Sequence, residues 1–486
     1  MQLNVTSTQI YGTFKTGEYL QLEGTLSGEL SSAEPIPDLD KVKFERRGMV
    51  EYSSTFMLLV PLDPRRGNGT LLFDPPNRGF PCSHYLYNSP PDNPLPVGSF
   101  DVGNGFLEDR GFAIVSMQWE LGRGMNLPAF IDEEGQTRYV EGVALAAMRD
   151  FLDWLRHSPE TLPGLASPLS AAIKCVLGVG WSQTGRLLKT FVLQGFNRIG
   201  QRLVIDGIHH QAGPTGWLPI VQSGTGPTSS AIGVLTPENP DLRGIVEEPL
   251  SLTDFVRVLT ERGETIPRSI FTVMSLDYYI LRASLFRTGA RGTQDLPVPD
   301  AARIYDVAGG AHAIIPAPGC LRDRGKLDWR PIMRAVLLHL DRWVKDNVAP
   351  PPNRLMPLAA NPNDSSVLQA PAHLPTAVVQ IPKLNSDGNP IGGIRLPDLA
   401  VPLGTHGSPN APESDFSCFI CGSFVPFAGS VSERLADGDD RLSLQERYAD
   451  PQQYLSLLSD AANQLVKEGF LLDDDRLMIL SDPHWT

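Results

Sequence analysis

Ile173-Lys-Cys-Val-Leu-Gly-Val-Gly180-Trp-Ser182-Gln-Thr-Gly185-Arg186 is the stretch on which the fold turns. Ile173 to Val179 is an apolar run of strand length, the pattern of a strand buried on both faces. Helix-compatible sequence follows from Gln183 to about Gly195, and Ser182 stands between the two. A serine at a sharp strand-to-helix turn is held in a strained conformation that lifts its hydroxyl clear of the sheet. Its neighbours must be small because strand and helix cross closely. Gly180 meets that need before the serine; after it, Thr184 stands where a glycine is usual, with Gly185 one place later. The bland alternative is a serine that only caps a buried helix.

The same rhythm extends outward. Gly69 to Phe73 and Gly111 to Ser116 read as short apolar strands, with a Pro/Asn/Gly turn from Pro75 to Gly79. Glu141 to His157 reads as an amphipathic helix with Ala144, Met148, Phe151 and Leu155 on one stripe. Strands are predicted at Arg202 to Gly207, Ser269 to Met274 and Arg303 to Val307. A helix is predicted from Asp328 to about Val348, with Asp328 as cap and Pro331 in the first turn. Such alternation predicts an α/β fold: a mostly parallel sheet with helices on both faces.

Antiparallel strands are expected at the N-terminal side, from Val42 and Phe44 between charged neighbours and from the run Thr55 to Val60. Thirteen prolines between Pro350 and Pro412 predict extended or looping chain there. The expected divisions are 1–65, N-terminal antiparallel strands; 66–347, the α/β catalytic core; and 348–486, a Pro-rich extension around the active-site mouth. One helix is expected in the extension, from Asp450 to about Glu468.

Composition narrows the function. The 486 residues are 41% apolar and 20% charged, enough to bury a core. A net charge of −14 argues against a nucleic-acid partner, which needs a basic face. No apolar run approaches the roughly 18 residues of a membrane span, and Met1 to Thr6 lacks a basic start, so a cytoplasmic protein without a membrane partner is expected. Five cysteines are too few for a disulfide scaffold. Cys418-Phe-Ile-Cys421 lacks the companions of a zinc site, so packing is expected, with a local disulfide as the alternative. With no Walker-type loop, H-E-x-x-H or dinucleotide fingerprint, neither metal nor cofactor is expected.

A nucleophilic serine needs a base oriented by a third group. At an elbow of this kind the partners follow in the order serine, acid, histidine, each past a later strand end. His312 fits: it closes Arg303-Ile-Tyr-Asp-Val-Ala-Gly-Gly-Ala-His312, a strand that breaks into a Gly-Gly loop. Asp277 lies just past Phe271-Thr-Val-Met-Ser-Leu and would hold the histidine tautomer. Asp206 and Asp306 are its rivals, and a helix-cap role its plain alternative. On this reading His209 and His210 follow an earlier strand, and His210 is a candidate to line the pocket. His339 shares the long helix, and His84, His157, His373, His406 and His484 match no catalytic position. Expected oxyanion donors are the N–H groups of Gln183 and Arg78. Trp119 and Trp181 flank the site and either contact substrate or pack.

Gly180 to Asn197, G-W-S-Q-T-G-R-L-L-K-T-F-V-L-Q-G-F-N, resembles the G-x-S-Q-[ST]-G-R signature of a bacterial α/β-hydrolase-domain family of esterase-like proteins. Asn77-Arg78-Gly79, Leu276-Asp277-Tyr278-Tyr279 with Arg282-Ala-Ser-Leu285, and Gly309-Gly-Ala-His312 add to the resemblance. So do Gly392-Gly-Ile-Arg-Leu-Pro-Asp398 and Val401-Pro-Leu-Gly-Thr405, which bring in the Pro-rich extension. The resemblance implies an α/β-hydrolase fold with Ser182 as nucleophile and His312 as base. At the acid position it implies Glu before Tyr-Trp, where this chain has Asp277 before Tyr278-Tyr279.

The expected activity is cleavage of a small-molecule carboxylic ester through an acyl-enzyme, with activity falling as the base is protonated in acid. Acyl transfer, or lactone or amide cleavage, by the same triad is one alternative. A non-catalytic binding protein on a hydrolase scaffold is the other.

Overall fold

Nine strands make the central sheet: β1 (Gln2–Phe14), β2 (Gly17–Ser31), β3 (Met49–Pro61), β4 (Thr70–Phe73), β5 (Ala113–Met117), β6 (Cys175–Trp181), β7 (Gly207–Gln211), β8 (Arg268–Met274) and β9 (Ala302–Val307). Their spatial order is β1-β2-β3-β5-β4-β6-β7-β8-β9. The computed structural model describes all residues except 44–47, 91–93, 219–249, 360–366, 369–375, 413–414 and 482–486, so Phe44, His373 and His484 lie outside the described residues.

The two halves of the sheet follow from two sequence patterns. In β2, Leu20, Leu22, Leu26 and Leu30 are buried while Gln21, Glu23, Thr25 and Ser27 alternate outward, as suits a strand covered on one face. β1 to β3 pair antiparallel, and β3 joins β5 antiparallel. From β5 onward, β4, β6, β7, β8 and β9 are all parallel. Every residue of β6 is buried, which requires cover on both faces. Helix α1 (Gly142–His157) packs on β2 and β3, α2 (Gln183–Leu193) on β6 and β7, and α3 (Arg330–Asp346) on β6 to β8.

Two strand expectations are corrected. Val42 follows a short turn, Leu39–Lys41, and is not in a strand. Arg202–Leu203 pairs only with Arg198–Ile199 in a small hairpin, and the core strand is β7. The Asn197 side chain explains the shift: its Oδ1 accepts from Ile205 N–H at 2.8 Å and its Nδ2 donates to Ile205 O at 2.9 Å, pinning a loop where a strand was expected. His209 and His210 therefore lie inside β7, not after it.

Residues 348–486 share the main core through Ile394, Leu399, Phe419, Ala462, Leu465 and Phe470. Helix α4 (Phe416–Cys421) and helices α5 (Pro451–Glu468) and α6 (Asp473–Ser481) lie in this segment. α5 is capped by Asp450, which accepts from Gln453 N–H at 2.8 Å. Buried Arg334 of α3 meets Asp475 of α6 at 2.6 Å. Cys418 is disulfide-bonded to Cys320, and Cys421 is a buried free thiol. Neither packing alone nor a local bond to Cys421 describes Cys418; its partner lies 98 residues away, and spacing within one turn of helix says nothing about a thiol that distant. Among the described residues no helix is long and apolar enough to cross a membrane.

Candidate active site

β6 ends at Trp181, α2 begins at Gln183, and Ser182 makes the turn at φ 55°, ψ −109°. Positive φ is costly for a residue with a side chain, on the order of 1–3 kcal/mol, and persists only where the surroundings enforce it. Here the Ser182 N–H donates to Gln211 O at 2.8 Å. A Cβ at Gly180 would stand 2.5 Å from Thr184 O and 2.6 Å from Gly185 N, so strand and helix backbones touch. Thr184 holds the usual glycine position because its hydroxyl turns inward: Oγ1 accepts from Trp181 N–H at 3.0 Å and lies 3.2 Å from Trp181 O.

His312 and Asp277 come together. His312 Nδ1 lies 2.7 Å from Asp277 Oδ1, and Asp277 Oδ2 accepts from Met274 N–H at 3.0 Å. Asp277 is fully buried and His312 nearly so. The rivals sit elsewhere. Asp206 binds Val176 N–H at 2.8 Å and Arg156 at 2.9 Å, at the end of β6 opposite Ser182. Asp306 lies within β9, bonded to the Tyr278 hydroxyl at 2.9 Å and to Arg287 at 2.8 Å.

The histidine loop is tied from every side. Trp181 Nε1 donates to His312 O at 3.2 Å, and the two rings stack with centroids 5.6 Å apart. Leu276 N–H donates to Gly310 O, Trp329 Nε1 to Ala311 O, and Ala313 N–H to Ile420 O. The indole of the residue before Ser182 thus rests on the imidazole of His312. No hydrogen bond joins the Ser182 hydroxyl to that imidazole among the described residues.

The opposite side is a lattice of side chains around Gln183. Its Oε1 accepts from Arg78 N–H at 2.9 Å, and its Nε2 donates to Glu120 Oε1 at 2.8 Å. Asn77 Nδ2 donates to Trp181 O at 2.7 Å, and Arg123 pairs with Glu120 at 2.9 Å. The Arg78 amide is therefore engaged rather than open as a donor, whereas its guanidinium Nη2 is buried with no partner among the described residues. Gln183 opens its helix, so its own N–H belongs to the unpaired donors of a helix start.

Two candidates for substrate contact are placed in the core instead. Trp119 is 1% exposed with its N–H donated to Pro76 O at 2.8 Å, bracing the β4 and β5 loops. His210 is 1% exposed against Phe271 and Gly185. Burial holds His210 well below the usual imidazole range and pushes His209 down to about 3, so both are neutral. Strand alternation puts them on opposite faces, His209 toward Tyr87 and Thr272 and His210 toward α2. The hydrogen-bonding roles of Asn77, Thr184 and Glu120 around the elbow are not legible in the sequence, because Asn77 and Glu120 reach it from loops 60 or more residues away and Thr184 reads there only as a departure from glycine. Among the described residues no group of three or more His, Cys, Asp or Glu side chains could hold a metal ion.

Six parallel strands with a serine elbow and a buried histidine–carboxylate pair past later strand ends define an α/β-hydrolase fold. A family model described as an alpha/beta hydrolase domain matches residues 116–481, and the chain belongs to that family. Among solved structures it is similar to the rice cell wall degrading esterase LipA from Xanthomonas oryzae, at 12% identity over 62% of this chain and 90% of that one, TM-score 0.28. It is also similar to S-formylglutathione hydrolase (FrmB) from Staphylococcus aureus, at 11% identity over 58% and 90%, TM-score 0.27. Brefeldin A esterase, a bacterial homologue of human hormone sensitive lipase, is similar at 15% identity over 56% and 63%, TM-score 0.23. No curated protein matches the chain. The fold assignment rests on the strand order and the family match.

Proposed function

We propose that this chain is a serine hydrolase that cleaves a carboxylic ester through an acyl-enzyme. The observation that carries the reading is the strained turn at Ser182, with the His312–Asp277 pair stacked against its neighbour Trp181. Strain of this kind is retained at functional sites because it aims a side chain.

Asp277, an acceptor only when ionised, takes the Nδ1 proton of His312 in a hydrogen bond and leaves Nε2 with its lone pair. Nε2 removes the Ser182 proton as Oγ bonds to the acyl carbon, a contact that tightens when substrate docks. The resulting oxyanion receives the Gln183 N–H, with the buried Arg78 guanidinium as a second donor in place of its engaged amide. Collapse expels the alkoxide, which takes the imidazolium proton. Water, deprotonated by the same nitrogen, then attacks the acyl carbon and releases acid and free Ser182. The Cys320–Cys418 disulfide favours work in an oxidising compartment, where such bonds persist, over the cytoplasmic location expected from sequence.

Fluorophosphonate labelling tests the reading. Wild type should gain one adduct, and Ser182→Ala and His312→Ala none. With p-nitrophenyl acetate, wild type should show a burst followed by turnover. An unlabelled wild type would favour the binding-protein reading. Label retained in Ser182→Ala would refute the nucleophile, and capture of the acyl group by added alcohol in preference to water would make the enzyme a transferase.

A further inference from the structure

A cavity of about 330 Å³ lies between the loop that follows His312 and the C-terminal segment, and the proposed mechanism does not use it. Lys326, Asp398, His406, Phe424, Phe427 and Tyr454 line it. Its volume falls within the range of small-molecule sites, on the order of 300–1,000 Å³, and its makeup matches them: apolar walls with a few polar groups.

Cations crowd the aromatic walls. Lys326 Nζ stands 4.4 Å over the Phe424 ring, and the Arg447 and Arg441 guanidinium groups lie 3.9 Å and 5.1 Å over Phe427. The arginines are held by Asp387 and Asp439, in partly buried pairs. Lys326 pairs more loosely with Asp323, at 3.6 Å with both side chains at least half exposed, a contact worth little in water. Its ammonium is thus the charge most readily given to a ligand. Against it stands Asp398, the one carboxylate in the lining.

The cavity wall is also the layer that seats the catalytic histidine loop. Gly309, three residues before His312, has φ 70°, and a Cβ there would strike Leu327, Leu399 and His406 at 2.6, 3.0 and 3.2 Å. His406 lines the cavity, as do Lys326 and Asp398, the chain neighbours of the other two.

We propose that this cavity is a second ligand site, taking a small apolar carboxylate with its body on Phe424 and Phe427 and its charge on Lys326. That is the class of acid an ester hydrolase releases, so the link to product rests on the function proposed above, whereas the binding does not.

The probe is 2-naphthoate, titrated by its own fluorescence into the full chain. Wild type and Ser182→Ala should bind it equally. Lys326→Ala should weaken binding roughly tenfold or more, the scale of one charge-assisted contact. The neutral 2-naphthamide should bind wild type about as weakly, and Asp398→Asn should tighten naphthoate binding by removing a repulsive charge. Lack of saturable binding at millimolar probe would overturn the site, as would indifference to Lys326→Ala. Loss of binding after fluorophosphonate treatment would assign the probe to the catalytic pocket, again overturning it. Because labelling of Ser182 is read separately, either proposal can fail while the other stands.

Discussion

The parallel strands and the C-terminal segment hold their parts by different means. β6, β8 and β9 are buried nearly throughout, and Ser182, Asp277 and His312 follow from where those strands stop. The C-terminal segment is short of regular structure before α5 and is fastened by discrete links. These are the Cys320–Cys418 bond, the Arg334–Asp475 pair, the 2.6 Å contact of His339 Nε2 with Gly469 O, and Arg287, which bridges Asp306 to Met356 O at 3.0 Å. In the first region position is a collective property of packing, so one change shifts it little. In the second, packing on the main core is supplemented by single bonds, each of which can be cut.

Cutting should therefore act on chemistry in one region and on stability in the other. The largest effect is expected from Asp277→Asn, which preserves shape but offers His312 the wrong partner: ester turnover should fall on the order of 10⁴-fold with the melting temperature little changed. If kcat is indifferent to this change, the core carries no triad. Next comes Cys320→Ala. A loop of 98 residues loses its closure, and unfolding free energy should drop by about 4–5 kcal/mol in denaturant titration, with fluorophosphonate labelling of Ser182 retained at low temperature. Loss of labelling together with stability would erase the contrast between the regions.

Glu141 sharpens it within the core. Both its carboxylate oxygens are buried without a partner among the described residues, and burial, then the neighbouring Glu120 charge, raises it from 4.5 to about 8. The folded chain keeps this proton to a higher pH than the unfolded chain does. Stability from this group is therefore full below 4.5 and is lost as pH rises through about 8. Glu141→Gln should gain on the order of a few kcal/mol at about pH 9 and almost nothing at about pH 4. Equal gains at both would refute the titration. The smallest effect belongs to Gly185→Ala, whose Cβ would meet the His210 ring at 2.9 Å. A cost of roughly 1–3 kcal/mol is expected, relieved in the double variant with His210→Ala.

What sequence could reveal divides along similar lines. Apolar runs and the elbow spacing located β6, β8, β9 and their ends, because a strand covered on both faces must be written in apolar residues. β7 escaped that rule: Gly-Ile-His-His-Gln carries three polar side chains that are tolerable only because Tyr87, Thr272 and the space above Gly185 receive them. Those partners are 60 or more residues away for His209, and nothing local announces them. The same holds for the Gln183 side chain, whose two partners come from loops after β4 and β5, and for the pairing of Cys320 with Cys418. Local periodicity reports what a segment buries, not which distant group meets it.

The Cys320–Cys418 bond has a consequence for biosynthesis. Since translation proceeds from the N-terminus, Cys320, just past His312, leaves the ribosome well before its partner thiol, which lies 98 residues further along the chain. A nascent chain that already holds Ser182 and Cys320 therefore cannot yet close this loop, and the fastening of the segment after His312 waits until Cys418 has been made and oxidised.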